Sequence, residues 1–408
     1  MAGIPTRVAL VSMHTSPAAQ PGTGDAGGMN VALRSLATEL AARGVEVDLL
    51  TRAEHAPGER ELEPGVVLHE LAAGPEGPVP RSGLAEVSDE FGEAVATLAG
   101  RRGARYDLLH AHYWLSGIAT LPVAIELGIP FVQSFHTLAA LKDRNPAPDS
   151  QPESDRRRHS EAYLAGQATA IVAGSAAEAT VLIDEARAPA KRVWVIPPGV
   201  DVDLFRPNRA DADERVRDEL AVAPGRPILV VAGRVQPLKD QELAIRALAE
   251  LHALRGWAPV LVVAGEPTPG DEDYAAGLRS LAQELGVAED VRFAGALRRD
   301  RLAELFTAAS VTVLPSHSET FGLVALESAA SGTPVVGYRG SGMVESIADG
   351  RSGLLVDSRE PRDWAEVIAR LLDDPQALGR MSAASREHAL GYTWAASATA
   401  LLGVYGSL

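Results

Sequence analysis

Three groups of residues in this 408-residue chain have the types and spacing to do chemistry. The first is QPGTGDAGGMN, Gln20 to Asn30, whose Gly22-x-Gly24-x-x-Gly27 string is followed twenty-one residues later by Asp48. That is the pattern of a dinucleotide site, where glycines let the backbone approach a pyrophosphate and the acid binds a ribose. The second is GRVQPLKD, with Arg234 and Lys239 five residues apart. Two such cations on one loop suit a diphosphate, the arginine gripping it bidentately and the lysine acting as a point charge. The third is SHSETFGLVALE, in which Glu319 precedes Glu327 by eight residues with Gly322 between them. A helix start there offers N–H groups to phosphate, and a carboxylate one or two turns in can accept from ribose or sugar hydroxyls. Each group alone has a plain alternative: a flexible glycine loop, a solvated Arg/Lys pair, an exposed helical glutamate. Arg234, Lys239, Glu319 and Glu327 taken together argue against a solvated surface.

The elements that must position these residues alternate between short β-rich runs and helical patterns, the signature of parallel sheets built from strand-helix-strand units. Strands are expected at RVALVS from Arg7, VEVDLLT from Val45, DLLHAH from Asp107, PFVQSF from Pro130, AIVAG from Ala170 and VWVI from Val193. A second series runs PILVVAG from Pro227, VLVVAG from Val260, VRFAG from Val291, VTVLP from Val311, PVVGY from Pro334 and GLLV from Gly353. Between them IPPGVDVDLFRP, Ile196 to Pro207, has three prolines and a glycine and reads as an interdomain connection. Its Asp201-Val202-Asp203 could be a metal-binding Asp-x-Asp, but no phosphate-binding strand end precedes it and a polar linker is the better reading. PAPDSQPESDRRR, Pro146 to Arg158, reads as an exposed loop entering a helix.

This layout decides against a dinucleotide site. The first glycine should follow the first strand at once, whereas nine residues including Pro17 and Pro21 separate Ser12 from Gly22. Asp48 is then the ordinary end of a second strand. Leu33, Leu36, Ala37 and Leu40 predict a helix ending near Gly44, so Gly27, Gly28, Met29 and Asn30 sit at its start. Unpaired N–H groups and absent Cβ atoms make that start a cradle for an anion or polyol.

Composition bounds the partners. Apolar residues are 46% and charged residues 23% of a chain long enough for two domains. Fifty-four acidic against 38 basic residues leave a net charge of −16, which disfavours nucleic acid and anionic lipid. There is no cysteine, hence no disulfide, thiolate metal site or thiol nucleophile. The amino terminus lacks the form of a signal peptide and no run reaches the ~18 apolar residues of a spanning helix, so a cytoplasmic location without membrane insertion is expected.

The ordered set of the early glycine loop, PPGVDVDLF, GRVQPLK and PSHSETFGLVALE resembles the GT-B family 4 retaining glycosyltransferases over essentially the whole chain. MHTSPAAQPGTGDAGGMN, HAHYWLSG and HTLAALK resemble, more narrowly, the mycothiol-pathway branch that moves N-acetylglucosamine onto inositol 3-phosphate. The resemblance implies an α/β chain of the GT-B class, two Rossmann-like domains facing across a cleft: an acceptor-binding domain over 1–198, a linker over 199–206, a nucleotide-sugar domain over 207–385, and a final segment, 386–408, returning to the first domain. It implies that Arg234 and Lys239 hold the donor diphosphate, Glu327 the ribose and Glu319 the transferred sugar. Amides at Phe321, Gly322 and Leu323 would assist, His136 would lie beside the sugar, and Gly28 would approach the donor phosphate. Acceptor ligands would be His14, Asp25, Gly27, Met29, Asn30, Tyr113, Thr137 and Arg157. Mg2+ can bind incidentally without a catalytic role; no cofactor or metal is required, and a homodimer is expected. The residues themselves leave alternatives open: His14, His110 and His112 as satisfied polar side chains, Tyr113 and Trp114 as pocket wall or core, and Arg156-Arg157-Arg158 as a solvated face.

Two departures from the branch point to a divergent paralogue. Where the branch carries GPYEGLxKEEL, with a lysine for the acceptor phosphate, this chain reads GPEGPVPRSGL, one residue shorter, with Arg81 or Pro80 at the lysine position. A Gly-Gly-Leu-Pro turn reads RGSGMVES, Arg339 to Ser346. The first expectation is therefore UDP-GlcNAc as donor and a small anionic acceptor such as inositol 3-phosphate. The principal alternative is another donor such as a GDP-sugar with another acceptor, for example the sulfur of a thione such as ergothioneine in lincosamide-type antibiotic assembly. A nucleotide-sugar 2-epimerase is a weaker alternative, and a sugar-nucleotide sensor or NAD-dependent oxidoreductase weaker still.

Overall fold

Runs such as ILVVA and VLVVA contain no polar residue, as strands covered on both faces by helices require, and all ten of their residues are buried. In the computed structural model, which describes residues 3–101, 105–148, 150–207, 209, 211–340 and 342–408, they lie side by side at the centre of the second of two sheets. Asp149 of PAPDSQPESDRRR and Ser341 of RGSGMVES fall outside the described residues.

The first sheet is built from β1 (Arg7–Val11), β2 (Glu46–Arg52), β3 (Gly58–Glu63), β4 (Val66–Leu71), β5 (Leu108–His112), β6 (Phe131–Ser134), β7 (Ala170–Ala173) and β8 (Val193–Val195). Its spatial order is β3-β4-β2-β1-β5-β6-β7-β8, parallel throughout except for the β3–β4 hairpin. The second contains β9 (Ile228–Ala232), β10 (Val260–Ala264), β11 (Val291–Gly295), β12 (Val311–Leu314), β13 (Val335–Tyr338) and β14 (Gly353–Val356), in the order β11-β10-β9-β12-β13-β14. All twelve expected strands form; β3 and β4, with Glu59, Glu61 and Glu63 on the exposed edge strand, were not anticipated because GERELE has no apolar alternation. The order reverses between β1 and β5 and again between β9 and β12, and in open α/β sheets ligands bind in the crevice outside the strand ends at such reversals.

Helices pack both faces of each sheet. Val8, Leu10, Val47 and Leu49 point to one side of the first sheet, Ala9, Val11, Leu50 and Leu109 to the other. The helix Trp394–Tyr405, far along the chain, belongs to this first core: Ala398, Leu401, Val404 and Tyr405 pack with Leu10 and Leu49, and the Tyr405 hydroxyl meets His110 Nδ1 at 2.7 Å. The preceding helix, Pro375–Ala389, packs on the second half through Leu378 and Met381. The chain thus crosses between the sheets twice, at Pro197–Gly199 and at Leu390–Thr393, and the crossings touch. Val200 bridges Thr393, and a Cβ on Gly199 would lie 2.2 Å from the Trp394 nitrogen. Asp201, in the first crossing, uses Oδ1 to accept from the backbone N–H of Asp203 and Leu204, the work of a turn residue.

Asp48 does not end β2. It lies within the strand, 2% exposed, accepting from Arg7 at 2.7 Å and from the Tyr106 hydroxyl at 2.6 Å, with His69 3.4 Å away. Those partners hold its carboxylate below the usual range despite burial. It is a buried structural carboxylate and no part of a ribose site.

Candidate functional site

The carboxyl ends of the two sheets face each other across a cleft of about 300 Å³ lined from both sides. Two helix starts meet there. The helix Gly28–Ala41 begins after the long β1 loop, in which Gly22 and Gly24 take positive φ of 90° and 49°. The helix Leu323–Ala330 begins after the β12 loop, with Gly322 at φ 91° where a Cβ would lie 2.8 Å from Met343. A Cβ on Gly28 would lie 3.7 Å from the Leu323 side chain, and one on Gly27 would lie 3.8 Å from Arg234 Nε. Two sets of unpaired amides, with the positive ends of two helix dipoles, therefore converge on one small volume.

Cations surround this volume. Arg234 and Lys239 both project from the loop after β9, and Lys239 Nζ pairs with Glu319 Oε1 at 2.5 Å. Arg234 Nη1 lies 3.5 Å from Asp25 Oδ1, whose carboxylate also pairs with Arg81. Burial, reinforced by Arg81, lowers the Arg234 pKa, so its charge is incompletely compensated. Arg157 is not a member of a solvated run: it is 3% exposed, while Arg156 pairs with Glu86 and Arg158 with Asp143 at the surface. Its guanidinium bonds Glu161 at 2.6 Å, Glu153 at 3.1 Å and both oxygens of Thr137 at 3.0 Å, and covers the Tyr113 ring at 5.1 Å. A net-acidic protein has placed five cations, Arg81, Lys142, Arg157, Arg234 and Lys239, around one cleft, the arrangement expected for polyanionic ligands.

The floor is a run of imidazoles. His112 Nδ1 is 2.8 Å from His136 Nε2 with the rings stacked at 5.0 Å; His110 packs on His112 with centroids 4.2 Å apart, tilted by 31°, and meets Ser134 Oγ at 2.9 Å. His14 packs on Tyr113 at 4.4 Å. Burial lowers the pKa of His110 to about 3 and of His136 to about 4, and pushes His112 well down. Burial and the positive charges of Arg81, Arg234 and Arg157 push His14 well down too. These imidazoles are neutral at physiological pH. His136 and Tyr113 both take positive φ, 60° and 75°, conformations that cost non-glycine residues energy and cluster at ligand sites.

The domains touch across the cleft through specific hydrogen bonds. Thr320 Oγ1 donates to the His136 carbonyl at 2.5 Å and Asn145 Nδ2 to the Gly340 carbonyl at 2.6 Å. Glu345 of the second domain accepts the Ala176 N–H at 2.8 Å, capping the first-domain helix Ala176–Asp184.

The structure brings to the cleft His14, Asp25, Gly27, Gly28, Met29, Asn30, Arg81, Tyr113, His136, Thr137, Arg157, Arg234, Lys239, Glu319, Phe321, Gly322 and Leu323. Glu327 is not among the cleft-lining residues: its carboxylate is 3% exposed and bound to Arg299 at 2.7 Å. Asn30 reaches the cleft with its polar atoms already occupied. Oδ1 accepts the Gly27 N–H at 2.8 Å, and Nδ2 donates to Thr15 Oγ1 at 2.9 Å and the Ser16 carbonyl at 2.8 Å, so it shapes the glycine loop. Glu178, Trp394 and Gln236 also line the cleft and were not anticipated. Ser175-x-x-Glu178 reads as a helix-capping pair, and Trp394 as core. Among the described residues no group of three or more His, Asp or Glu side chains is arranged to hold a metal ion, and no helix is long and apolar enough to cross a membrane.

Comparison with known proteins adds sequence families to this geometry. Residues 26–204 match the family described as Glycosyltransferase Family 4, and residues 212–388 match Glycosyl transferases group 1. The chain is 42% identical over 98% of its length, and 93% of the relative's, to a D-inositol 3-phosphate glycosyltransferase of Thermobifida fusca. Among solved structures, sucrose-phosphate synthase from Thermosynechococcus elongatus superposes with a TM-score of 0.89 at 30% identity, covering 98% of both chains. Anabaena HepE in complex with UDP-glucose superposes at 0.80 with 20% identity, covering 98% of this chain and 100% of that one, a likeness of fold.

Proposed function

From the premise that this chain belongs to the GT-B family 4 glycosyltransferases and transfers a sugar from a nucleotide sugar, we propose that it moves N-acetylglucosamine from UDP-GlcNAc to inositol 3-phosphate or a closely related anionic polyol, with retention. The observation that carries this reading is the convergence of Arg234, Lys239 and Glu319 from one domain with Gly27, Gly28 and His136 from the other around a single cleft. We divide the chain at 198 and 206; the expected return at 386 falls inside the helix Pro375–Ala389, which packs on the second half and whose Arg386 bonds the Ala330 carbonyl, so we place the return to the first domain at Leu390–Thr393.

In this reading the donor diphosphate lies between the two helix starts, replacing Glu319 as the partner of Lys239 and Asp25 as the partner of Arg234. Freed from Lys239, the Glu319 carboxylate accepts from sugar hydroxyls. The acceptor phosphate is held by Arg157, Thr137 and Tyr113, with Arg81 supplying the charge that the branch otherwise takes from lysine. The acceptor oxygen attacks the anomeric carbon on the face from which the phosphate leaves. The C–O bond to phosphate breaks, the new glycosidic bond forms, and the acceptor proton passes to the departing phosphate oxygen. Neutral imidazoles beside the sugar and a Glu319 carboxylate engaged with hydroxyls leave proton transfer to the leaving group. The chain contributes orientation and stabilisation of charge on that group. Glu327 Oε1 is held by Arg299 at 2.7 Å, and in this reading the ribose hydroxyls donate to the second carboxylate oxygen. A different acceptor is favoured by one observation: Arg81, which with Pro80 stands at the position of the branch's lysine, is engaged by Asp25.

UDP release from UDP-GlcNAc, measured with and without inositol 3-phosphate, tests the reading. Acceptor-dependent turnover abolished by Arg234→Ala and Glu319→Ala supports it. Tight UDP binding with no release on adding the polyol phosphate excludes that acceptor.

A further inference from the structure

Part of the cleft lining comes from residues that flank the two chain crossings and from the elements beside them. Leu36, Val172, Ile196 and Leu401 give it apolar sides, and Glu178 and Trp394 give it polar ones. This part of the cleft is tied together locally: Ser397 Oγ donates to the Pro197 carbonyl at 2.8 Å, and a Cβ on Gly174 would sit 3.6 Å from Glu178 Oε2 and 3.9 Å from Pro198.

Glu178 does not behave as the capping-box residue its spacing announces. Its own N–H donates to Ser175 Oγ at 3.1 Å, as a cap requires, but its carboxylate takes the Gly174 N–H at 2.7 Å through Oε2 alone. Oε1 is buried with no hydrogen-bond partner, in a residue only 1% exposed. Trp394 Nε1, in a residue 5% exposed, is also buried and unpartnered, and so is His112 Nε2 at the neighbouring floor. Buried polar groups are nearly always satisfied, and leaving one unmade costs more than a surface change of the same kind. An unpaired acceptor and an unpaired donor between apolar walls match the needs of hydroxyl groups, which both donate and accept.

We propose that this part of the cleft is a hydroxyl-recognition subsite, in which Glu178 accepts from a ring hydroxyl of a bound substrate and Trp394 donates to one. The inference rests on the glycosyltransferase reading and specifies where the sugar or polyol ring is recognised, apart from the phosphates. The ring belongs either to the transferred sugar or to the acceptor, and the two sources are separable by experiment. The glutamate already holds Gly174, so the substitution Glu178→Gln would keep an oxygen for that bond and lose the charge and full acceptor capacity of Oε1.

Isothermal titration of four ligands into wild type, Glu178→Gln and Trp394→Phe reads the contribution of the ring: UDP, UDP-GlcNAc, inorganic phosphate and inositol 3-phosphate, the last two with UDP present. A loss of about tenfold for UDP-GlcNAc with UDP unchanged assigns the subsite to the donor sugar. The same loss for inositol 3-phosphate with inorganic phosphate unchanged assigns it to the acceptor. Trp394→Phe should show the same pattern at smaller amplitude. Unchanged affinities in both variants overturn the subsite, as do equal losses for all four ligands, which would mark a structural role only. Wild type that binds neither ring more tightly than its parent phosphate also overturns it. UDP release in the same samples judges the parent reading separately: E178Q turning over like wild type would leave that reading intact and the subsite refuted.

Discussion

Acidification should destabilise this protein before carboxylates in the ordinary range titrate, because the cleft floor is made of neutral histidines. In the unfolded chain each imidazole protonates near its ordinary value of about 6.5, while His110 and His136 are held near 3 and 4 by burial. A depressed pKa gives stability that is present above about 6.5 and is lost as pH falls toward the folded value. Between pH ~7.5 and ~5.5 each of these two histidines loses roughly 1–2 kcal/mol, about 3 kcal/mol together. His14 and His112 are shifted in the same direction and add to the loss. Glu178 opposes them: burial raises its carboxyl to about 7, so its contribution is largest below the ordinary glutamate range and is lost as pH rises through 7. Over the same interval it returns about 2 kcal/mol. The histidines win, and stability falls on acidification. Urea unfolding at a series of pH values measures this directly, with the midpoint moving to lower urea as pH falls from ~7.5 to ~5.5. In Glu178→Gln the opposing contribution is absent, and the fall should steepen by about 2 kcal/mol over the interval. A flat profile in wild type refutes the assignment of neutral buried imidazoles, and a shallower one in E178Q refutes the raised Glu178 carboxyl.

Other variants follow from single contacts. Arg81→Ala should weaken inositol 3-phosphate by the value of one charge-assisted bond, about 1–3 kcal/mol, with UDP affinity nearly unchanged, as titration calorimetry would read. Gly199→Ala should cost several kcal/mol, roughly 2–4, because its Cβ falls 2.2 Å from the Trp394 nitrogen where the two crossings touch; the unfolding midpoint reports it. Glu345→Ala removes the cap that the second domain supplies to the helix Ala176–Asp184, worth about 1 kcal/mol. Small-angle scattering of the ligand-free protein should then show a larger radius of gyration.

The sheets were legible because buried parallel strands are written as unbroken apolar runs, and ILVVA, VLVVA and VTVL carry no competing signal. GERELE escaped because an exposed edge strand owes its conformation to pairing with Val66–Leu71 and not to its own residues. The glycine loop was legible through its failure: a strand, an interval with two prolines, then glycines at a helix start cannot be a dinucleotide turn. Arg157 illustrates the opposite case. In sequence it is one of three consecutive arginines, and only the helical turn, which points it inward at Tyr113 and Thr137, separates it from its neighbours. Glu178 was hidden by local chemistry, since Ser-x-x-Glu has a sufficient explanation as a cap. Its free oxygen becomes visible only when Gly174 is seen to take the other one. For Glu327 the sequence does not show its partner: Arg299, twenty-eight positions away, holds one oxygen of a carboxylate that is not among the cleft-lining residues.

The most direct test of the central claim is the anomeric configuration of the product formed from UDP-GlcNAc and inositol 3-phosphate, read by proton NMR during turnover. An α-linked N-acetylglucosaminyl-inositol phosphate, appearing in step with UDP, is the expected result. A β-linked product, or free N-acetylglucosamine with the polyol phosphate untouched, would contradict same-face transfer within this cleft.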